Sequence, residues 1–141
     1  MYQEGDLLKF RSFLFKNGSQ PKTKYFIVLG HIDDQVLMAS LPTSKDHVPA
    51  DAIVERGCVD IPERAVNAFV FSPTDRVTAT FSFLQPTFVY GEQVDEYEQK
   101  YLDQMGTEVE HLGQIEPQLF RDIKECLKKA VLLRRKYKKL L

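Results

Sequence analysis

The segment Lys24–Leu41, KYFIVLGHIDDQVLMASL, places the strongest constraint on how this chain folds. It holds two apolar runs, 25–29 and 36–41, on either side of the sequence GHIDD at 30–34. Glycine tolerates a positive φ and aspartate bonds to its own backbone, so this middle part favours a tight turn. Short apolar runs bounded by turn residues are typical of buried strands rather than helices. The segment therefore predicts a central β-hairpin around which the other strands pack.

Further strands are predicted on both sides of the hairpin. Leu8 and Phe10 alternate with Lys9 and Arg11, and the sequence VTATFSF at 77–83 alternates strictly, as expected for strands with one buried face. A single helical turn is predicted at 62–64, because proline suits the first position of a helix. The shorter predicted strands are 52–54, 58–61, 67–71, 86–91 and 111–115.

Two helices are predicted after the strands. The first covers about 92–105, where glycine and proline are absent and Val94, Tyr97, Tyr101 and Leu102 fall on one helical face. Seven acids and one base lie between residues 92 and 110, so this helix is acidic. The second is amphipathic, covers about 117–138 and carries apolar residues at spacings of three and four. The sum is a mainly β fold with α: a small, curved antiparallel sheet or barrel with a helix packed on it, in one domain over 1–141.

Charge is divided unevenly along the chain. Residues 1–115 hold 10 Lys/Arg and 17 Asp/Glu, a balance of −7, whereas residues 116–141 hold 9 Lys/Arg and 3 Asp/Glu, a balance of +6. A basic tail of this density attracts nucleic acid or an acidic partner. It is equally consistent with a helix that lies against the acidic body of its own protein. Both interpretations stay open at this point.

The sequence predicts a cytoplasmic protein that does not enter a membrane. No window approaches 18 uncharged apolar residues, and the N-terminus has acids where a signal peptide would be positively charged. Cys58 and Cys126 are the only cysteines. Two isolated thiols without a secretion signal usually stay reduced, so both are expected to be reduced residues that serve packing.

The common catalytic patterns are absent from the sequence. There is no glycine-rich phosphate loop, no nucleophile elbow and no cysteine or histidine pair at metal-binding spacing. His31, His47 and His111 belong to three different predicted elements, and each is expected to be a surface residue rather than a ligand or a base. No metal and no cofactor are predicted.

The order of several short motifs resembles the MazF/PemK/Kid family of toxin endoribonucleases. The motifs are GDLL at 5–8, GSQ at 18–20, the apolar strand 25–29, LPTSK at 41–45, QPTFV at 85–89 and LGQIEP at 112–117. The resemblance covers most of the chain, apart from an insert at about 92–108 and the last basic turn of the C-terminal helix, 117–141.

The resemblance implies an SH3-like barrel that forms a homodimer, cuts single-stranded RNA without a metal and is inhibited by an antitoxin protein. Such cleavage needs a base, an acid and a cation that stabilises the phosphorane. Lys24 occupies the place of the family's catalytic arginine, and the family's hydroxyl after the next strand is kept as Thr43 or Ser44. The candidate RNA-binding residues are Arg11, Lys22, Lys45 and His47.

Besides the lysine at position 24, the sequence departs from the family at two further catalytic positions. Ser82 and Leu84 stand where Kid-like members have an arginine and an aspartate before the Gln-Pro pair. Two functions therefore stay open: a ribonuclease toxin with an unconventional base, or a catalytically impaired barrel that binds RNA or a protein. The position of the acidic segment 92–105 discriminates between them, because acids across the RNA groove would repel phosphate.

Overall fold

A computed structural model describes residues 2–41 and 56–141, and its strands form two antiparallel sheets. The larger sheet has the order β7-β3-β2-β1-β8 and the smaller one the order β4-β5-β6. The strands are β1 Asp6–Phe13, β2 Lys22–Ile32, β3 Gln35–Leu41, β4 Gly57–Ile61, β5 Val66–Phe71, β6 Thr87–Tyr90, β7 Val94–Glu98 and β8 Val109–Gln114. The helices are α1 Gln99–Asp103, α2 Pro117–Leu127 and α3 Arg135–Lys138, with 3-10 turns at Pro62–Arg64, Gly91–Gln93 and Gly106–Glu108.

The predicted central hairpin is confirmed as β2 and β3. The two strands pair from Tyr25 with Leu41 to Ile32 with Gln35, and Asp33 takes a φ of 54° in the turn. Both faces of the hairpin are buried, because alternate side chains enter two different hydrophobic cores. The continuous apolar runs of the sequence are explained by this double burial.

One core lies between the two sheets and the C-terminal part of the chain. It joins Ile27 and Leu37 of the hairpin to Phe71 of β5 and to Ile123 and Leu127 of α2. The other core covers the opposite face of the larger sheet with α1 and a group of aromatic rings; its members include Phe10, Phe13, Phe26, Met38 and Leu102. The mainly β class with helices is confirmed, and the described strands do not close into a barrel.

The predicted acidic helix 92–105 is wrong over its first half. Val94–Glu98 is an edge strand that pairs with β3, from Ala39 opposite Val94 to Gln35 opposite Glu98, and only Gln99–Asp103 is helical. The open edge of β3 offers backbone hydrogen bonds along its whole length, and this pairing outweighs the helical spacing of the apolar residues. Val94 and Leu102 are buried, which is consistent with both the predicted helix and the observed strand and short helix.

The strictly alternating segment 77–83 is not a strand. It makes a single bridge, between Thr78 and Ile115, and then turns back so that the Phe81 carbonyl accepts hydrogen bonds from the N–H groups of Val77 and Thr78. Two of its apolar side chains, those of Val77 and Phe83, are nevertheless buried in the core between the sheets. Periodicity therefore identified only part of the buried set, because Ala79 is exposed and Thr78 is 1% exposed, and it did not identify the backbone conformation.

The predicted helix 117–138 is divided into α2 and α3, with turns between them. Ala130, Leu133 and Tyr137 are buried, whereas Val131 is 52% exposed, although on a continuous helix it would lie on the same face as Leu127, four residues before it. α2 ends at Leu127, and the turns that follow it place these three buried side chains in the core between the sheets. None of the described helices is long and apolar enough to cross a membrane.

The prediction of two reduced cysteines is also wrong, because Cys58 and Cys126 form a disulfide. Their Cα atoms lie 5.5 Å apart and the bond joins β4 to the end of α2, across a sequence separation of 68. Two cysteines at this separation approach each other only once α2 packs on the smaller sheet, and no local pattern reveals that contact. The argument from reduced thiols for a cytoplasmic setting no longer holds.

Glu116 caps α2, and its removal gives a testable effect on stability. Its carboxylate accepts hydrogen bonds from the backbone N–H groups of Gln118 at 3.1 Å and Leu119 at 2.9 Å, which lower the pKa of the carboxyl. A lowered pKa in the folded state adds stability above the unfolded-state pKa, and this stability is lost as the pH falls through the folded-state pKa.

We therefore expect Glu116→Gln to be less stable than the wild-type protein at pH 7. The difference should shrink as the pH falls below the usual glutamate pKa of about 4.3. Urea unfolding at a series of pH values measures it, with the exposed Glu63→Gln as the control. A difference that stays constant over this pH range would contradict the assignment.

Candidate functional site

A cleft of about 430 Å³ opens where β2 begins, β3 ends and β7 begins. Lys24 comes from β2, Ser40 from β3 and Tyr97 from β7, while Arg134 and Tyr137 reach it from the C-terminal segment. The remaining lining residues are Phe15, Phe26, Gly91, Glu92, Gln93, Val94, Asp95, Leu132 and Leu133. The lining thus combines two cationic side chains, three side chains that carry a hydroxyl group, four aromatic rings and two carboxylates.

Lys24 reaches the cleft because of its register in the larger sheet. It lies opposite Phe10 of β1 and two residues before Phe26, which also lines the cleft. The side chain is half-buried, and burial, followed by the charge of Lys22, lowers the pKa of its ammonium group. A half-buried cation in a cleft is a binding group for an anion.

Tyr97 forms the aromatic side of the cleft. Its ring packs edge-on against Phe13 and Phe26, and the ammonium of Lys16 lies 4.2 Å from the ring centroid. Burial, with a further contribution from Asp95, raises the pKa of the Tyr97 hydroxyl well above its ordinary value. The hydroxyl is therefore a hydrogen-bond donor at any physiological pH.

Tyr137 carries a buried polar atom that the fold leaves without a hydrogen bond of standard geometry. The residue is 1% exposed, and its hydroxyl is near the Glu96 carboxylate without meeting the geometry of a hydrogen bond. Burial first, and then Glu96, raise the pKa of this hydroxyl. A buried donor without a good partner costs stability, so the group gains from any ligand that supplies an acceptor.

Glu92 and Asp95 line the cleft, and Glu96 of β7 is near the Tyr137 hydroxyl. Lysines pair with two of these acids, Asp95 and Glu96. Lys16 contacts Asp95 at 3.2 Å and Lys136 contacts Glu96 at 2.8 Å. The hydrogen bond from Lys136 is the main cause of the lowered pKa of the Glu96 carboxyl. This pairing reduces the repulsion that an acidic strand would exert on phosphate.

Of the sequence-predicted site residues that the structure describes, only Lys24 lines the cleft. Lys22, two residues before Lys24, is exposed, and its ammonium lies 5.7 Å from the centroid of the Phe15 ring. Arg11 is engaged elsewhere, 3.4 Å from Glu110 on the edge strand β8. Thr43, Ser44, Lys45 and His47 lie outside the described residues, as does the predicted strand 52–54.

The topology places the end of β3 beside Lys24. β3 ends at Leu41, which pairs with Tyr25, the residue next to Lys24. The end of β3 therefore lies beside the start of β2. The predicted pairing of Lys24 with a hydroxyl from residue 43 or 44 stays a prediction.

Sequence reasoning missed four residues of the cleft: Ser40, Tyr97, Arg134 and Tyr137. The two tyrosines carried an apolar signal that predicted only helix faces. Arg134 belongs to the basic tail, whose charge pointed to an anionic partner without selecting one residue. Ser40 gave no signal in the sequence. Its hydroxyl donates a hydrogen bond of 3.3 Å to the side-chain oxygen of Gln93.

Comparisons with protein-family models, with curated proteins and with solved structures found no match for this chain. Within residues 2–41 and 56–141, no group of three or more His, Cys, Asp or Glu side chains is arranged to hold a metal ion.

Proposed function

We propose that this protein is a toxin-type endoribonuclease with a MazF/PemK-like, SH3-like sheet, which cleaves single-stranded RNA in the Lys24 cleft without a metal. The observation that carries the proposal is the half-buried Lys24 facing a cleft that Arg134, Tyr97 and Tyr137 also line. The motif order of the sequence supports the same assignment. An antitoxin and a second copy of the chain are the partners that the resemblance implies.

The proposed chemistry is an internal transesterification of the RNA backbone. The ribose 2′-hydroxyl loses its proton to solvent water and its oxygen attacks the adjacent phosphorus, the bond to the 5′-oxygen breaks, and a 2′,3′-cyclic phosphate and a 5′-hydroxyl result. Arg134 stabilises the negative charge of the phosphorane with its guanidinium. Lys24 stabilises the same charge and, because its pKa is lowered, transfers a proton more readily to the leaving 5′-oxygen. Thr43 or Ser44 is proposed to orient the phosphate.

A binding module of the same fold is the second candidate. The observation that favours it is the position of Ser82 and Leu84, which replace the charged pair of Kid-like members. Both are exposed, Leu84 to 95%, and neither lines the cleft. In this case the cleft binds RNA without cutting it, with the same two cations on the phosphates.

Growth after tightly induced expression tests the proposal, with total RNA inspected from each culture. We expect the wild-type chain to arrest growth and to produce discrete RNA fragments, and we expect Lys24→Ala and the double variant Thr43→Ala/Ser44→Ala to relieve both effects. Loss of one charge-stabilising group typically lowers the rate by about 10²- to 10³-fold. Lys9→Ala is the matched control. Lys9 pairs with Tyr25 and Lys24 with Phe10, so the two lysines lie on opposite faces of the larger sheet, and the Lys9 ammonium is 5.8 Å from the Tyr25 ring centroid.

Normal growth with intact RNA in the wild-type culture would count against a ribonuclease. Binding of a labelled oligoribonucleotide by the purified chain would then separate the two candidates. Binding that Lys24→Ala weakens supports the binding module, whereas no binding rejects both.

Tyr137→Phe gives a second test, because it separates function from stability. Removing a buried hydroxyl that lacks a good partner should leave the urea midpoint unchanged or slightly raised. Oligoribonucleotide affinity should fall about five- to tenfold if the hydroxyl donates to the ligand, as expected for the loss of one hydrogen bond. Unchanged affinity would remove Tyr137 from the proposed site.

A further inference from the structure

The Cys58–Cys126 disulfide lies at a second, larger cavity, of about 580 Å³, between the smaller sheet and α2. Cys58 is exposed on β4, whereas Cys126 is 2% exposed at the end of α2. Phe69, Val70 and Leu119 form the apolar part of the lining. The charged lining residues are Arg56, Arg76, Lys129, Asp75, Glu116, Asp122 and Glu125. The Cys58 end of the bond is thus at an exposed residue and the Cys126 end at a buried one.

The disulfide holds the part of the chain that completes the Lys24 cleft. Immediately before the turns that follow α2, the Cys126 carbonyl accepts a hydrogen bond of 2.8 Å from the side chain of Asn67 on β5. Ala130 then packs against Gly91, and the chain continues to Arg134 and Tyr137 in the cleft. Cys126 is therefore the covalent anchor of the segment that supplies one of the two cations.

We propose that this cavity is a thiol–disulfide exchange site for a dithiol reductant, and that reduction loosens residues 128–138 and so weakens the Lys24 cleft. The link to RNA rests on the proposed function of the cleft. The loosening of residues 128–138 does not rest on that function, because it follows from the position of Cys126 alone.

The exchange balances in two steps. A thiolate of the reductant attacks the sulfur of the exposed Cys58, forms a mixed disulfide and displaces the Cys126 thiolate, which takes up a proton. The second thiol of the reductant, as its thiolate, then attacks the mixed disulfide, displaces Cys58 as a thiolate that takes up the second proton, and leaves as a cyclic disulfide. The two protons taken up are those that the two thiols of the reductant release.

The surroundings of the bond suit both redox states. Arg56, Arg76 and Lys129 at the cavity attract a thiolate, whereas the four carboxylates of the lining repel it and one of them, Asp75, contacts Arg56 at 3.0 Å. Cys126 Sγ lies 3.3 Å from the backbone oxygen of Ala68. The oxidised sulfur has no hydrogen to donate, but the thiol released by reduction can donate one to this oxygen. The buried cysteine therefore keeps a polar partner after the bond opens.

The test treats the native oxidised chain with dithiothreitol and follows hydrogen exchange, free thiols and oligoribonucleotide binding. We expect reduction without denaturant, yielding two thiols per chain. We expect the protection of amides in 128–138 to fall about tenfold or more, while that of β2 stays high, as for a local opening. RNA affinity should fall by about five- to 150-fold, the usual range of coupling between two sites. Cys58→Ser should behave like the reduced wild-type chain and should not respond to dithiothreitol.

Each outcome decides between the proposals. A bond that is reduced only in urea, or exchange in 128–138 that does not change on reduction, overturns the exchange site. Faster exchange together with RNA affinity that is measurable but unchanged overturns the link to the cleft. Faster exchange in a chain that binds no RNA in either redox state supports the loosening of the segment and rejects the proposed function of the cleft. If Cys58→Ser fails to fold, the reduced wild-type chain supplies the same comparison.

Discussion

Gly91→Ala is expected to lower the free energy of unfolding by about 3 kcal/mol, the upper part of the usual range for overpacking a core. A Cβ added at this position would lie 2.4 Å from the Cβ of Ala130 and 2.6 Å from Oδ1 of Asn67. Both distances are shorter than real Cβ contacts. The Cβ of Ala130 cannot rotate away, and the Asn67 side chain is held by hydrogen bonds from its Nδ2 to Asp60 and to the Cys126 carbonyl. The turn between β6 and β7 would have to move away from the C-terminal segment.

The matched control is Gly30→Ala in β2. A Cβ added at Gly30 meets no atom within 4 Å, so the substitution is expected to be neutral or to stabilise by about 0.5–1 kcal/mol through a smaller loss of chain entropy. Urea unfolding of the two variants beside the wild-type chain measures the difference. A Gly91→Ala midpoint equal to that of Gly30→Ala would mean that the C-terminal segment does not pack against Gly91 as described.

The same position connects stability to the candidate site. Gly91 lines the Lys24 cleft and touches Ala130, four residues before Arg134. A shift that relieves the overlap therefore displaces the segment that carries Arg134 and Tyr137. We expect any Gly91→Ala protein that remains folded to bind oligoribonucleotides more weakly than Gly30→Ala does.

Those parts of the fold whose sequence signal is local were predicted correctly. The central hairpin, β1, β4, β5, β6, β8 and the turn Pro62–Arg64 all follow from short apolar runs and from turn residues. The errors fall where distant partners decide the conformation. Val94–Glu98 is a strand because the edge of β3 is open to it, and the alternating segment 77–83 folds back on itself because its apolar side chains fill the core between the sheets.

The candidate site was predicted only in part, for the same physical reason. Lys24 was identified by its place in the motif order, and the cleft confirms only that it is half-buried among polar groups. Tyr97 and Arg134 join it from segments more than 70 residues away in sequence. Such contacts depend on the packing of β7 and the C-terminal segment against the hairpin, which a single sequence does not encode in any local pattern.

Cys58→Ser is expected to lower the free energy of unfolding by about 4 kcal/mol under oxidising conditions. The disulfide closes a loop with a sequence separation of 68, and on the chain-entropy account a loop of this length restricts the unfolded chain by about that amount. The side chain of Cys58 is exposed, so its replacement by serine leaves little cavity and little lost packing. Most of the effect should therefore come from the covalent link.

Urea unfolding with and without dithiothreitol isolates that link. Without reductant the variant should unfold at a much lower urea concentration than the wild-type chain, and with reductant the two midpoints should coincide. Cys126→Ala should unfold at a lower urea concentration than the wild-type chain and Cys58→Ser, because it also removes a buried side chain at the contact between α2 and β5. A difference between wild type and Cys58→Ser that persists in reductant would show that the serine itself disturbs β4. Equal midpoints without reductant would show that the disulfide does not restrict the unfolded chain.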